Sequence, residues 1–271
     1  MKITQLKKKF ANLWRNPSLL VRRPRDYISY KIRINNPVIG GLVEVLGNRV
    51  RMDGLTYSVE SPNISRRHKS ILAFGLHEIE ERKLIQRWLP RQHSVIELGG
   101  GLGVVSCLTN RQLQDGVKHI VVEANPHMVP VLERNRDLNG CSFSVINKAI
   151  SNAGSQITLP IDPSFVGSNM AAVGTSIGSV IVSAVTLKTL ADSEGIDQFS
   201  LIADIEGAED AVICEDLPQL GDRVRFAMFE LHPLILGTDR TEYLMKRMAE
   251  MGFVLQERLG SGQVFCVAYR R

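Results

Sequence analysis

Val95-Ile96-Glu97-Leu98-Gly99-Gly100-Gly101-Leu102-Gly103 is an apolar run that ends in an acid and passes into glycines at the alternate positions 99, 101 and 103. Val104-Val105-Ser106-Cys107 follows, and a second apolar run, Ile120-Val121-Val122, ends in another acid, Glu123. That order predicts a strand, a tight loop, a helix and a second strand, the first half of a nucleotide-binding α/β sheet. A loop that turns sharply at a strand's carboxyl end and lays bare backbone against a ligand has no room for Cβ atoms. Gly99, Gly101 and Gly103 meet that need.

Two ligands compete for such a loop: the pyrophosphate of a dinucleotide, and the methionine and ribose of S-adenosylmethionine. The dinucleotide pattern G-x-G-x-x-G, counted from Gly99, asks for Gly or Ala where Val104 stands. Glu97, two residues before the first glycine, opposes a pyrophosphate but attracts an ammonium or sulfonium. Glu123, ending the next strand, is placed to accept both ribose hydroxyls. The ordered set of Glu97, three glycines and Glu123 therefore favours S-adenosylmethionine.

The 271 residues suffice for one substantial core and a small addition. Apolar residues make up 44% and charged ones 23%, so whole-chain disorder is excluded. Cys107, Cys141, Cys214 and Cys266 form no C-x-x-C pair and read as buried thiols in a reducing compartment rather than zinc ligands or disulfides. No apolar run reaches the ~18 residues of a membrane span and no signal-peptide core is seen, so cytoplasmic residence is expected. Residues 1–70 hold 15 Lys and Arg against 4 Asp and Glu, a balance of +11, leaving 18 against 24, or −6, for residues 71–271. A basic N-terminal extension, 1–70, thus precedes an acidic domain, 71–271. Ile3, Leu6, Phe10, Leu13 and Trp14 recur at helical spacing among Lys7, Lys8 and Lys9, a basic amphipathic helix. Packing on the parent domain or a partner subunit explains it, and so does peripheral contact of residues 1–40 with an anionic membrane. Nucleic acid is disfavoured because the aromatics are not interleaved with basic residues for base stacking. No feature sets an oligomeric state.

Residues 17–41 read as irregular connection. Three short runs, Leu42 to Leu46, Arg49 to Met52 and Leu55 to Val59, are separated by Gly47-Asn48 and Asp53-Gly54 and predict a small β-meander. A helix begins near His77 with Ile79, Leu84, Ile85 and Trp88 inward. Strands are expected at Ser94 to Leu98, Lys118 to Glu123, Ser142 to Asn147, Val180 to Val185, Leu201 to Asp204 and Arg225 to Leu231. Helices are expected from Gly103 to Leu113, after Pro126, and from Glu242 to Met251. Residues 161–179, rich in Gly, Ser and Asn, read as a loop over the site or a lateral insertion. A last hairpin pairs Phe253 to Glu257 with Gln263 to Tyr269. A mostly parallel sheet that closes on an antiparallel hairpin, with helices on both faces, is the Rossmann-like α/β fold of class I methyltransferases.

With these pieces placed, residues 75–270 resemble the FkbM family of S-adenosylmethionine-dependent methyltransferases. The resemblance rests on Gly75-Leu-His-Glu78, Val95 to Gly103, Val122-Glu-Ala-Asn-Pro126, Ile202-Ala-Asp-Ile-Glu-Gly-Ala-Glu209 and Phe229-Glu-Leu-His-Pro233. The fourth is the most specific, the family pattern being I-D-x-E-G-x-E. The chain departs from the family where Glu97-Leu-Gly-Gly-Gly101 replaces Asp-x-Gly-Ala-Asn, Ala203 replaces Lys and His77 replaces Tyr. The resemblance implies O-methylation of a hydroxyl on a sugar, glycan or related metabolite. It implies a cofactor or substrate contact at Glu78, ribose contacts around Ala124, Asn125 and Pro126, and adenine near Asn147 to Ala149.

Methyl transfer is a displacement at an already activated carbon, so the protein supplies alignment and a way to remove the hydroxyl proton. Asp204 and Glu206 lie at a strand's carboxyl edge, where open α/β sheets bind ligands. Asp204 holds the methionine amino group or orients substrate, and Glu209 reads as a cap in the next helix's first turn. Glu230 and His232, with Leu231 between, point to one side. His232 is expected to be the base or to orient the acceptor hydroxyl, with Glu230 fixing its tautomer or contacting the cofactor. Asp204, Glu206, Glu230 and His232 also permit a divalent cation, a less favoured reading. His68, His93, His119 and His127 show no ligand spacing and are expected to face solvent. The competing functions are a nucleic-acid methyltransferase, lacking an N/D-P-P-Y/F segment, a non-catalytic binding module and, more distantly, a dinucleotide oxidoreductase.

Overall fold

A computed structural model describes residues 36–161, 178–261 and 264–271. The expected helix at residues 3–14 and nearly all of the expected loop at 161–179 lie outside the described residues. Among these, the order is α1 (Pro37–Val45), β1 (Arg49–Met52), β2 (Leu55–Ser58), α2 (Arg66–Ala73), α3 (Ile79–Trp88), β3 (Ser94–Leu98), α4 (Val104–Gln112), β4 (His119–Val122), α5 (Val129–Leu138) and β5 (Ser144–Ile146). Then come β6 (Ala149–Ile150), β7 (Gln156–Ile161), β8 (Gly178–Val185), α6 (Leu187–Ser193), β9 (Phe199–Ala203) and α7 (Glu209–Ala211). α7 continues through a π turn, Val212–Asp216, into Leu217–Leu220. β10 (Val224–Leu231), α8 (Thr238–Glu250), β11 (Val254–Ser261) and β12 (Val264–Arg270) complete the chain.

The main sheet has seven strands in the order β11-β12-β10-β9-β3-β4-β5. β10, β9, β3, β4 and β5 are parallel, β12 is antiparallel to β10, and β11 is antiparallel to β12. This is the class I methyltransferase arrangement, a parallel sheet ending in an antiparallel hairpin. Successive strand residues face opposite layers. Val95 and Val121 pack with Leu84, Ile85, Leu108 and Leu132 from α3, α4 and α5. Their neighbours Ile96 and Ile120 pack with Leu190, Leu217 and Leu244 on the other face. Between β3 and β9 the connections leave the sheet in opposite directions, which opens a crevice at the carboxyl ends.

Three local expectations differ. Leu42 to Val45 belongs to helix α1, so β1 and β2 form a two-stranded hairpin rather than part of a three-strand meander. Asn36 caps the Val38 N–H, Pro37 occupies the first turn, and Gly47 at φ 94° stops the helix. Gly40 is required here, since a Cβ would lie 1.8 Å from the Arg66 carbonyl oxygen of α2. Pro126 does not open a helix; Pro130 stands in the first turn of α5. β7, unanticipated, pairs antiparallel with β8, and Pro160 is tolerated because β7 is an edge strand.

The hairpin is tied to the main body. Asn135 of α5 is fully buried, accepts from Ser58 N at 2.7 Å and donates to Ser58 O and to Leu102 O of the glycine loop. One turn on, Asn139 repeats the pattern with Thr56. Residue 70, the expected border of the extension, falls within α2. All four cysteines are free thiols, Cys107 and Cys266 buried and Cys141 and Cys214 half-buried.

Candidate active site

The crevice at the carboxyl ends of β3, β4, β9 and β10 is a cleft of about 510 Å³. Glycine loop and β9 meet at its floor. Gly99 has φ 88°, and a Cβ there would lie 1.9 Å from the Asp204 carbonyl oxygen, so this glycine is demanded by the neighbouring strand's backbone. Gly101 at φ 49° donates its N–H to Glu123 Oε2 at 2.7 Å. The other Glu123 oxygen accepts from Asn125 N, also at 2.7 Å. Burial pushes the Glu123 carboxyl up, and these two donors oppose the shift. Glu123 thus faces the cleft with its carboxylate fixed at both oxygens. Ala124, Asn125 and Ala149 line the wall beside it, with apolar cover from Met128, Ile150, Ile157 and Leu159.

Three expected cofactor residues stand elsewhere. Glu97 is buried on the α4 side, where Oε1 accepts from Ser106 Oγ and Oε2 lies 3.2 Å from His119 Nε2. It does not line the cleft; the face of β3 that carries Val95 carries Glu97 too. Gly103 starts α4 at φ 81°, with Leu132 where a Cβ would point. Asn147 donates to the carbonyls of Glu123 and Ala124 and braces that wall from behind. His119 and His68 are buried rather than solvent-facing. His68 lines the cleft, packs edge-on against His77 at 4.9 Å, and is lowered to about 3 by burial and by His77.

The opposite end is acidic. Glu78, Glu80 and Glu81 enter from the start of α3, Asp204 and Glu206 from the end of β9, and Glu230 and His232 from the end of β10. Glu78 at φ 50° and Glu206 at φ 52° hold left-handed conformations that carboxylate side chains seldom adopt, and both line the cleft. Arg82 fixes the Glu78 loop, donating to the carbonyls of Gly75, His77 and Glu78 and pairing with Asp53 of the β1–β2 turn.

His232 Nε2 lies 3.7 Å from Asp204 Oδ1, 3.5 Å from Glu206 Oε2 and 3.6 Å from Glu230 Oε2. Its Nδ1 lies 3.3 Å from Oε1 of Glu209. Glu209, fully buried, also accepts from Ile205 N and Gly207 N, so it closes the turn and backs the histidine at once. Of the carboxylates around the imidazole, Glu209 lies nearest, at 3.3 Å from Nδ1 against 3.6 Å between Nε2 and Glu230. Burial would lower the His232 pKa, but the pairing with Glu209 and the charges of Asp204 and Glu206 outweigh it and raise it to about 9. Burial, then the Glu81 charge, pushes Glu230 up to about 9. Burial and Glu230 raise Asp204, and burial and Glu78 raise Glu81. Glu81 and Glu80 escape sequence reasoning because acids in a helix's first turn look like helix-terminus charges.

No family model matches the chain, and no curated protein matches it in sequence. Solved structures with which it shares similarity include the ribosomal protein L11 methylase of Lactobacillus delbrueckii subsp. bulgaricus, at 14% identity over 72% of this chain and 79% of that one, with a TM-score of 0.43. Fibrillarin of Aeropyrum pernix, solved with natively bound S-adenosyl-L-methionine, aligns at 8% identity over 71% and 74%, with a TM-score of 0.45. An O-methyltransferase from Bacillus cereus aligns at 12% identity over 70% and 79%, with a TM-score of 0.43. Among the described residues, no helix is long and apolar enough to cross a membrane.

Proposed function

We propose that the chain is an S-adenosylmethionine-dependent O-methyltransferase acting on a hydroxyl of a sugar, glycan or related small metabolite. The observation that carries this reading is the polarity of one cleft: Glu123 with an apolar wall at one end, and a cluster of carboxylates around His232 at the other. The residues fit the cofactor on chemical grounds. A carboxylate with both oxygens fixed and facing the cleft suits a ribose diol, Met128, Ile150, Ile157 and Leu159 suit an adenine face, and Glu78 suits an ammonium. A pyrophosphate would meet these same acids as like charges.

S-adenosylmethionine supplies an activated methyl group. The chain's own work is to align the acceptor and take its proton. His232 orients the acceptor hydroxyl, with Glu209 behind Nδ1. Glu206 Oε2, 3.5 Å from Nε2 on a side chain 30% exposed, takes the hydroxyl proton and passes it to solvent. Asp204 and Glu230 set the remaining walls of the acceptor subsite. The FkbM-like motifs support the narrower reading, since Asp204, Glu206, Glu209, Glu230 and His232 converge here from two of them.

Transfer of a labelled methyl group to a panel of polyols and glycosides tests the proposal. Glu206→Gln is expected to lower turnover about 10²-fold at little change in cofactor KM. Transfer to RNA but to no hydroxylated metabolite would replace this acceptor class with nucleic acid.

A further inference from the structure

In the acidic end of the cleft, Asp204, Glu206 and Glu230 each bring a carboxylate oxygen near His232 Nε2. The separations from His232 Nε2 to Asp204, Glu206 and Glu230, 3.5 to 3.7 Å, are too long for hydrogen bonds. They are near the ~3.0 to 3.4 Å that separates neighbouring ligands around an octahedral cation with bonds of ~2.1 to 2.4 Å. Asp204, Glu230 and His232 each offer one such atom, all within 4.8 Å of one another. Asp204 Oδ1 is buried and has no hydrogen-bond partner among the described residues.

Two further observations point at a ligand. Glu81, 2% exposed, has an Oε1 with no hydrogen-bond partner among the described residues, and it directs a ligand atom to within 4.8 Å of Glu230. The imidazole is also set as metal-bound imidazoles are set, one nitrogen toward the oxygen ligands and the other backed by a buried carboxylate, Glu209. Among the described residues, seven carboxylates line the cleft, and Lys148 is the only Lys or Arg there. One site for a doubly charged cation balances that excess where the cofactor's own charges do not reach.

We infer that Asp204, Glu230 and His232 bind a divalent cation of the Mg²⁺ or Mn²⁺ type, backed by Glu81 and Glu209, and that the acceptor carries two adjacent oxygens that chelate it. Hard carboxylate oxygens with one imidazole favour these ions over thiolate-seeking ones. Three protein ligands leave three of six octahedral positions, room for both oxygens of a vicinal diol and one water. The cation polarises the hydroxyl to be methylated, and Glu206, outside the ligand set, remains its proton acceptor. The acceptor class rests on the methyltransferase reading, whereas the cation site does not.

Pulsed electron paramagnetic resonance of Mn²⁺ added to the full chain tests the site. One Mn²⁺ is expected to bind below about 1 mM with nitrogen modulation from a coordinated imidazole. His232→Gln is expected to abolish that modulation, and Glu230→Gln to weaken binding about tenfold or more while keeping it. If His232→Gln does not fold, the Glu230→Gln result decides. Absence of binding, binding without nitrogen modulation, or Mn²⁺ affinity indifferent to Glu230→Gln overturns the proposal. Mn²⁺ binding as described in a chain that takes up no S-adenosylhomocysteine would overturn the methyltransferase reading and leave the cation site standing.

Discussion

Glu123 carries two demands at once. Its carboxylate satisfies the N–H groups of Gly101 and Asn125 while facing the cleft, so it fixes the glycine loop and offers its remaining lone pairs to a ligand. Glu123→Ala leaves both N–H groups without this acceptor and is expected to cost about 1 to 3 kcal/mol of stability, checked by urea denaturation. Gly99→Ala is expected to be worse, because its Cβ meets the Asp204 backbone rather than a movable side chain. Thermal unfolding should show a large loss or no cooperative transition. Both residues are legible in the sequence as site residues, but for Gly99 the reason is not: the pattern says bare backbone for a ligand, and the structure says bare backbone for strand β9. Glu97 is the counterpart. Its acid at the strand end reads as a cofactor carboxylate, yet alternation along β3 places it on the α4 face with Ser106 and His119.

Elements were legible where hydrophobic period and length agree. β3, β4, β9, β10 and the terminal hairpin each combine an apolar run with a bounding acid, Gly or turn. α1 was not, because Leu42-Val43-Glu44-Val45 alternates like a strand, and only Asn36-Pro37 before it and Gly47 after it signal a helix. β7 was obscured by Pro160. The approach of Glu81 to Glu230 and of Glu209 to His232 depends on how α3 and α7 meet the sheet, which no single segment records. At this scale Asn135 is the joint between hairpin, α5 and glycine loop. Asn135→Leu strands Ser58 N, Ser58 O and Leu102 O, and a loss of roughly 2 to 4 kcal/mol is expected from buried groups left unpaired. A native-state hydrogen-exchange measurement should show the β1–β2 amides losing protection first.

The whole molecule is an α/β sheet whose carboxyl edge gathers negative charge. Without a cation, the folded state binds protons more tightly than the unfolded chain at several carboxyls of the cleft and at His232; His232 is raised from 6.5 to about 9 and Glu230 from 4.5 to about 9, and Asp204, Glu81 and Glu123 are raised as well. Raised pKa values stabilise at low pH and lose that stabilisation as pH rises. Glu230 begins to lose it above its unfolded pKa, His232 above 6.5, and both have lost it once pH passes about 9. In chelator, the Tm is therefore expected to fall between about pH 6 and pH 9, and Glu230→Gln to flatten the slope. A Tm that rises over this interval would contradict the electrostatic account of the cleft.

Calorimetric titration with S-adenosylhomocysteine tests the central claim, that one cleft joins a cofactor's ribose at Glu123 to an acceptor subsite at His232. Stoichiometric binding is predicted at about micromolar affinity, weakened at least about tenfold by Glu123→Ala and retained by Glu206→Gln. No binding at about 1 mM ligand, or binding indifferent to Glu123→Ala, would contradict it.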